Sequence, residues 1–592
     1  MDWQGWFTLG VLALVIAGLL REVAGPDFVL TAGLCALAVA GVLQPAEAFA
    51  GFANPSVVAI GALFLVSAGL RETGLLDRWI ARLLARQGSE RGMLVSLCAP
   101  LAALSAFLNN APIVAAVTPV LLDWSRRQRI APSRLLIPVS YATILGSSTT
   151  MLGTSVNLTV AGLLVTSGLA PMTLFELAPV GLAVTLAGLA FLAVAGQRLL
   201  PSRQDPAEHV SSHSREYVAG MRVEASCPLV GQTIQAAGLR QLPGLFLIEI
   251  DRAGRSLAAV APDEVIQAGD ELVFAGVVAT IADLQRIPGL LPTALETRDR
   301  EATHLIEAVV SSSSPLVQRT VKDAQFRTVY DAAVVAVHRN GERLPGKIGE
   351  IVMRPGDTLL LQARPGFLRA HRNSPDFYLV SEIASDLGTG AGSRPGIALA
   401  IFAAMVIAVG LGWLHVAVAA MLAGSALLAS GCLRGAEARR SVDWSVLVVI
   451  GAGFGLARAM HETGAAQSLG GMVAMAGSPL GAYGGLVAIY LASMLLAELL
   501  HHAAAAAIMV PIALATAGQF ECEPRAFAMA VAVGATCAFA NPTTYHTHLI
   551  VYGPGGYRFA DFLRVGLPLD GICAVVALLV IPLIWPLSRL TV

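Results

Sequence analysis

The sequence predicts a polytopic α-helical membrane protein built from two related membrane halves, with a polar α+β block inserted between them. Three observations carry that reading. Of 592 residues, 55% are hydrophobic and only 13% charged, and mean hydropathy is +0.69, as expected of a chain that lies mostly in lipid. Apolar character is confined to residues 1–200 and about 395–592, while 203–390 is polar and strand-like. Short motifs also recur at near-constant spacing. Ile60-Gly61-Ala62 and Glu72-Thr73-Gly74 return as Ile450-Gly451-Ala452 and Glu462-Thr463-Gly464, an offset of 390. Asn109-Asn110-Ala111 with Pro119 returns as His501-His502-Ala503 with Pro511, offset 392, and Asn157-Leu158 as His548-Leu549, offset 391.

Element by element, the first apolar run ends at Arg21-Glu22 without a small-residue cleavage pattern, and Met1-Asp2-Trp3-Gln4 is not a basic leader. It is therefore expected to be a transmembrane helix. Helices at about 6–20, 28–44 and 56–70 lead to a positive stretch, Arg71, Arg78, Arg82, Arg86 and Arg91. The next apolar run, 94–122, is interrupted by Asn109-Asn110 and followed by Arg126-Arg127-Gln128-Arg129. Positive charge on both flanks places both ends in the cytoplasm, which a re-entrant hairpin satisfies and a spanning helix does not. Helices at about 135–165 and 174–198 return the chain to the cytoplasm.

The middle block is itself duplicated. Pro228-Leu229-Val230 with Thr233 reappears as Pro315-Leu316-Val317 with Thr320, and Gly269-Asp270 as Gly356-Asp357, both at offset 87. Runs such as Leu245–Ile250 and Ala333–Val337 are too short for helices that stand alone, and turn residues follow each. The pattern of a Ser/Cys-Pro-Leu-Val start, a strand, a Gly-Asp turn and a second strand resembles the TrkA-C (RCK-C) domain. The resemblance covers about 215–290 and 300–372, so the expected domains are 203–295 and 296–390. It implies a cytoplasmic regulatory pair with a small-molecule or nucleotide ligand.

The second membrane half begins inside and is expected to be inverted. Arg434, Arg439, Arg440, Arg558 and Arg564 fall on its cytoplasmic side, and Glu521 and Glu523 follow the second hairpin, about 485–516. Each half thus holds about five spans and one hairpin. Two homologous halves are the usual build of a secondary transporter, with its site where the repeats meet.

Irregular backbone at membrane depth is tolerated only where protein buries it or a cavity adjoins it. Four such places are expected: the hairpin tips at Asn109-Asn110 and His501-His502, and helix interruptions at Gly146–Asn157 and Asn541–His548. Each interruption exposes amide N–H groups at the start of a half-helix, which suit an anion, and carbonyls before it, which suit Na⁺. The hairpins ending in Pro, the break Gly153-Thr154-Ser155-Val156-Asn157 and the run Val551-Tyr552-Gly553-Pro554-Gly555-Gly556-Tyr557-Arg558-Phe559 together resemble the divalent anion/sodium symporter (SLC13-type, DASS) family. That resemblance covers both membrane halves. It implies sodium-coupled import of a dianion such as sulfate or a dicarboxylate, an elevator motion, a homodimer and a place in the cell inner membrane, in contact with the lipid bilayer.

On that reading, substrate falls to Asn110, Thr154, Ser155, His502 and Thr547, with sulfate ahead of C4-dicarboxylate because the site has small side chains and no conspicuous base. Na⁺ falls to Asn109, Asn110 and Gly153, with Asn157 in the same cation-binding set. This chain departs from the family pattern in its second half, where His501, His502 and His548 replace asparagine, with His546 beside them. They are drifted, satisfied histidines, a second cation site turned over to H⁺, or, least favoured, transition-metal ligands with Glu498.

Bland explanations are preferred elsewhere. Seven scattered cysteines read as small buried hydrophobes. Gly451-Ala452-Gly453-Phe454-Gly455 reads as close helix packing, not a nucleotide fingerprint. Glu72 and Glu462 read as helix-end caps or interfacial pairs, and Arg458 as a snorkelling side chain, with an anion-attracting role second. No nucleophile–base constellation appears, so an enzyme is not expected, nor is a nucleic-acid partner or an organic cofactor. Two other readings remain: a membrane anion sensor signalling through the TrkA-C pair, and an efflux permease.

Overall fold

In the computed structural model the helices of the second half follow those of the first in the same order. Described are residues 1–21, 23–75, 79, 80, 83, 90–128, 130–202, 218–239, 245–252, 255–258, 263–276, 287–293, 304–311, 314–339, 342–344, 348–363, 367–371, 374, 376–382 and 394–587. Residues 1–203, 389–552 and 557–592 form one compact unit, and 204–388 with 553–556 another. Arg78, Arg82, Arg86 and Arg129, used above for topology, lie outside the described residues.

The first half runs α1 (Trp3–Leu20), α2 (Pro26–Val39), α3 (Pro45–Phe49), α4 (Pro55–Glu72), α5 (Glu90–Ser105), α6 (Asn110–Gln128), α7 (Leu136–Ser147), α8 (Ser155–Thr166) and α9 (Ala178–Phe191). After the strand-rich block, which holds the short helices α10 (Phe326–Tyr330) and α11 (Phe367–His371), the second half follows. It runs α12 (Pro395–Gly410), α13 (Val416–Ala429), α14 (Gly435–Ser441), α15 (Trp444–Glu462), α16 (Ala465–Gly477), α17 (Gly481–Leu499), α18 (His502–Gln519), α19 (Pro524–Thr536), α20 (His546–Tyr552) and α21 (Phe559–Ile584). Helices α2 and α13 end the same way. Gly41 and Gly431 both take φ of +72°, and the following amides reach back to Leu37 O and Leu427 O at 3.0 Å, closing the helix as a glycine C-cap does.

Those caps shorten two expected spans. Among the described residues, seven helical stretches are long and apolar enough to cross a bilayer. Helices α2, α12 and α13, expected as spans, have 14, 16 and 14 residues, below the roughly 20 that a hydrocarbon core requires. Both α18 and the stretch Ala465–Leu499, which contains α17, are long enough to cross, so length does not impose re-entry on the second hairpin.

Packing between the halves is reciprocal. Helix α2 packs on α15 of the other half, and α13 packs on α4. Helix α6 packs on α20, and α18 packs on α8. One buried cluster joins Val11, Leu34 and Leu37 of α1 and α2 to Val449 and Leu456 of α15. A methyl group on Gly451, Gly453 or Gly455 would lie within 2.7 Å of Phe52, Ala507 or Ala48, so these glycines serve close helix packing. Arg458 does not snorkel alone: its guanidinium reaches Glu462 at 2.7 Å and Glu47 at 2.8 Å, tying α15 to α3. Six cysteines are buried and Cys35 is exposed.

The strand-rich unit contains two sheets of one topology. The first has β1 (Val218–Val223), β2 (Leu245–Arg252), β3 (Arg255–Ala258), β4 (Glu271–Gly276) and β5 (Leu290–Thr293), ordered β3-β2-β4-β1-β5. The second has β6 (His304–Val310), β7 (Ala332–Arg339), β8 (Glu342–Arg343), β9 (Thr358–Ala363) and β10 (Phe377–Glu382), whose order β8-β7-β9-β6-β10 is the same arrangement. Every pairing is antiparallel. The repeat extends to chemistry. Arg252 grips Asp270 through Nε at 2.9 Å and Nη2 at 3.0 Å, and Arg339 grips Asp357 at 2.7 Å through both.

These forked pairs fix the Gly-Asp turns before β4 and β9. The hydrogen bond each guanidinium donates to its carboxylate raises it further above its ordinary value. Asp357 is 1% exposed, so Arg339→Ala leaves a buried carboxylate without its counter-charge. The expected cost to the second sheet is about 3 kcal/mol, seen as faster amide exchange in peptides covering β7 and β9. Unchanged exchange would mean that the pair contributes nothing there.

Candidate functional site

Two interruptions bring polar backbone into the membrane unit, and each is held by side chains from the same half and walled by the other. The first lies between α7 and α8. Helix α7 carries Gly146 and Ser147 as its last residues, and Asn157 sits inside α8, so the open segment is shorter than the sequence suggested. Asn157 closes it by donating Nδ2 to Thr150 O at 2.7 Å and Ser147 O at 3.2 Å. Thr150 donates its hydroxyl to Ala106 O, beside the first hairpin tip. Gly153 packs so closely that a Cβ would lie 2.3 Å from Ser147 O. Thr154 caps α8, its Oγ1 accepting from Val156 N at 3.4 Å, the expected role for a hydroxyl at that position.

The second interruption starts earlier than expected. Helix α19 ends at Thr536 and α20 begins at His546, so the break spans 537–545. His546, Thr547 and His548 therefore belong to a helical turn and not to the break. The physical reason lies in Glu498, at the end of α17. Its carboxylate accepts from Ala540 N at 2.7 Å and Asn541 N at 2.8 Å, and its carbonyl accepts from Asn541 Nδ2 at 2.7 Å. Asp570 of α21 accepts the preceding amide, Phe539 N, at 3.0 Å. Tyr141 of the first half donates to Phe539 O at 2.7 Å. Backbone amides that cannot join a helix thus find carboxylate acceptors, as they must.

A glycine opposes each break. A Cβ on Gly181 of α9 would lie 2.4 Å from Ser148 O, and one on Gly566 of α21 would lie 2.5 Å from Phe539 O. They occupy equivalent places in Val180-Gly181-Leu182 and Val565-Gly566-Leu567, offset 385. That offset is not the 390–392 seen elsewhere, and so the pair was not visible in the first comparison of the halves.

The histidines sort into two places. His501 stacks on His502 with ring centres 4.2 Å apart, and His502 stacks on Tyr545 at 4.4 Å. His546 lies 6.2 Å from His501 by ring centres, with Nδ1 4.0 Å from the Asp443 carboxylate. His548 lies beyond Tyr545, edge-on to it at 5.7 Å, with Nδ1 2.9 Å from Ser140 Oγ of the first half. Among the described residues, no three His, Cys, Asp or Glu side chains gather as metal ligands.

The two halves meet at the substrate candidates. His502 Nε2 lies 3.3 Å from Ser155 Oγ, and its Nδ1 3.4 Å from Thr544 O. The N-terminal ends of α8 and α18 therefore adjoin, and each carries partial positive charge. No hydrogen bond joins Asn110 or Thr547 to that pair, but each keeps an orphaned polar atom: Asn110 Nδ2 and Thr547 Oγ1 are buried without a partner. Asn157 Oδ1 is likewise unpartnered. Asn109 Oδ1 accepts from Ala111 N at 3.3 Å and caps α6. Chemically, the orphaned donors suit an anion, and the orphaned carbonyl oxygen suits a hard cation.

Asp570, and Glu498 as a support for the break, were missed by sequence reasoning. The available signal was an acidic residue inside an apolar run, Leu495–Leu500 and Val565–Cys573, which in a membrane segment is a functional candidate.

A family model described as citrate transporter (CitMHS) matches residues 12–534. A putative sulfur deprivation response regulator of Chlamydomonas reinhardtii is 36% identical over 94% of this chain and 98% of its own length. An uncharacterized transporter, sll0640, of Synechocystis is 32% identical over 99% and 98%. Sodium/sulfate cotransporter 1 of Chlamydomonas reinhardtii is 27% identical over 96% and 88%.

Proposed function

The chain belongs to the CitMHS citrate transporter family, and we propose that within it the protein imports a small dianion, sulfate first, coupled to Na⁺. It is a multi-pass membrane transporter and not an enzyme. The observation that carries the substrate reading is the meeting of two helix N-termini at Ser155 and His502, 3.3 Å apart, with no lysine or arginine among the described residues hydrogen-bonded to either. Paired helix N-termini and neutral donors bind a dianion without a fixed charge that would hold it too tightly. Asn110 Nδ2, Thr154 and Thr547 Oγ1 complete the donor set. The relatives named sodium/sulfate cotransporters support both sulfate and sodium.

Sodium belongs beside the first break, where Asn157 Oδ1 is an orphaned acceptor, with Asn109, Asn110 and the backbone at Gly153. His501, His502 and His546 occupy the equivalent place in the second half, with His548 across Tyr545. In the proposed cycle the two hairpins and two breaks move as an elevator between inverted repeats, supported by the reciprocal packing of α6 with α20 and α18 with α8. The duplicated sheets are a tandem TrkA-C pair that regulates transport, and the protein works as a homodimer.

A sensor role is the second reading, favoured by the relative named a sulfur deprivation response regulator. The test is uptake of radiolabelled sulfate and succinate into proteoliposomes under an inward Na⁺ gradient and, separately, an inward H⁺ gradient. Sulfate accumulation driven by Na⁺ supports the import reading. Saturable sulfate binding without accumulation under either gradient would favour the sensor.

A further inference from the structure

The second break carries two acids that the first break lacks. Glu498 and Asp570 take three consecutive amides between them, Phe539 N, Ala540 N and Asn541 N. Both carboxyl groups thus sit side by side on one three-residue stretch of backbone. A carboxylate is an acceptor only, so two carboxyls in contact need a proton between them. At the spacings that relate the halves, 392 for the hairpin tips and 385 for the opposing glycines, their counterparts are Ala106 and Thr185. Both counterparts are neutral, and Thr185 spends its hydroxyl on Leu145 O at 2.8 Å. Repeat symmetry therefore does not account for the acids.

The surroundings favour a shared proton over two charges. Neither acid has a hydrogen-bonded or ion-paired lysine, arginine or histidine among the described residues. Glu498 sits in the last turn of α17, where the helix dipole opposes a negative charge. The titratable groups facing the pair are Tyr141 of α7, Tyr490 of α17, Cys537 and Tyr545 of the break, and Cys573 of α21. All are phenols or thiols, and none supplies positive charge. The Tyr490 hydroxyl is buried without a partner. Asp570 is 2% exposed and Glu498 only half-buried, so the glutamate is the more accessible member of the pair.

We infer that Glu498 and Asp570 hold one exchangeable proton between them, a proton-binding site that regulates the second break and is distinct from the histidine cluster. With the proton present, the pair caps the break as one monoanion. Its loss to water leaves two adjacent carboxylates on three amides, and their repulsion loosens the break. Transport should therefore fall as pH rises through the deprotonation of the pair. The uptake part of this argument rests on the import reading above; the site itself does not.

The test uses the full-length protein in liposomes. Infrared difference spectra recorded across a pH titration should show one carboxylic-acid C=O band lost at alkaline pH, absent from both Glu498→Gln and Asp570→Asn. This arm needs no substrate, so a failure of sulfate uptake leaves it readable. In Asp570→Asn the amide oxygen still accepts Phe539 N and its NH₂ donates to Glu498, imitating the protonated pair. Its uptake profile, normalised to its own maximum, should stay flat where the wild type declines toward tenfold per pH unit, the limit for a single proton. No titrating carboxyl band, or wild-type and Asp570→Asn profiles that coincide, would overturn the inference.

Discussion

Gly153→Val is expected to cut substrate uptake by about two orders of magnitude, the loss that about 3 kcal/mol of overpacking produces. The clash is with backbone: a Cβ there would lie 2.3 Å from Ser147 O and 2.7 Å from Ser147 Cα. No side-chain rotation relieves it. Ser147 O is also one of the two carbonyls that Asn157 uses to close the first break, so the added methyls push apart the contact that sets the position of Ser155. Gly10→Val is the control, since nothing lies within 4 Å of a Cβ at that glycine. Uptake would be read beside the size-exclusion profile of each protein. Wild-type rates in Gly153→Val would show that the break does not need its present geometry.

The second large effect concerns affinity. If Ser155 and His502 both donate to the bound dianion, Ser155→Ala and His502→Ala should each raise KM for sulfate by about tenfold to a hundredfold, from hydrogen bonds to a charged group worth roughly 1.5–3 kcal/mol. Their side chains lie 3.3 Å apart, so the double variant should fall short of the product of the singles. Thr547→Val, which removes an orphaned hydroxyl at nearly constant volume, should raise KM without lowering maximal rate. A fall in maximal rate with KM unchanged in all three would place these residues in the conformational step and not in substrate binding.

The parallel order of helices in the two halves was legible because residues at matching positions share identities at a nearly fixed spacing. The first break was legible for a similar reason: Gly153-Thr154-Ser155 is a poor helical stretch inside an apolar run, and a hydroxyl before the restart is a capping signal. The bounds of the second break were not. They depend on Glu498, 42 residues before Ala540, which offers its carboxylate to the break and so lets α19 stop early. Arg458 reads as a lone interfacial base until Glu47, 411 residues away in the chain, is beside it. Asp570 was invisible to a comparison of the halves because its counterpart is a threonine at a different offset. Local residue chemistry marks where a helix fails, but the acceptors that make the failure tolerable come from elsewhere in the chain.

The crosswise packing of the halves has a consequence for how the molecule is made. Helix α20 rests on α6 and α18 rests on α8, so the first half leaves the ribosome before its neighbours exist. From the end of α9 until α18 has been inserted, the first interruption waits in the bilayer without its wall. The nascent N-terminal half is therefore expected to need membrane chaperones, and premature termination after the strand-rich unit should yield a product that is degraded. Gene fission could separate the halves only if both products were inserted together.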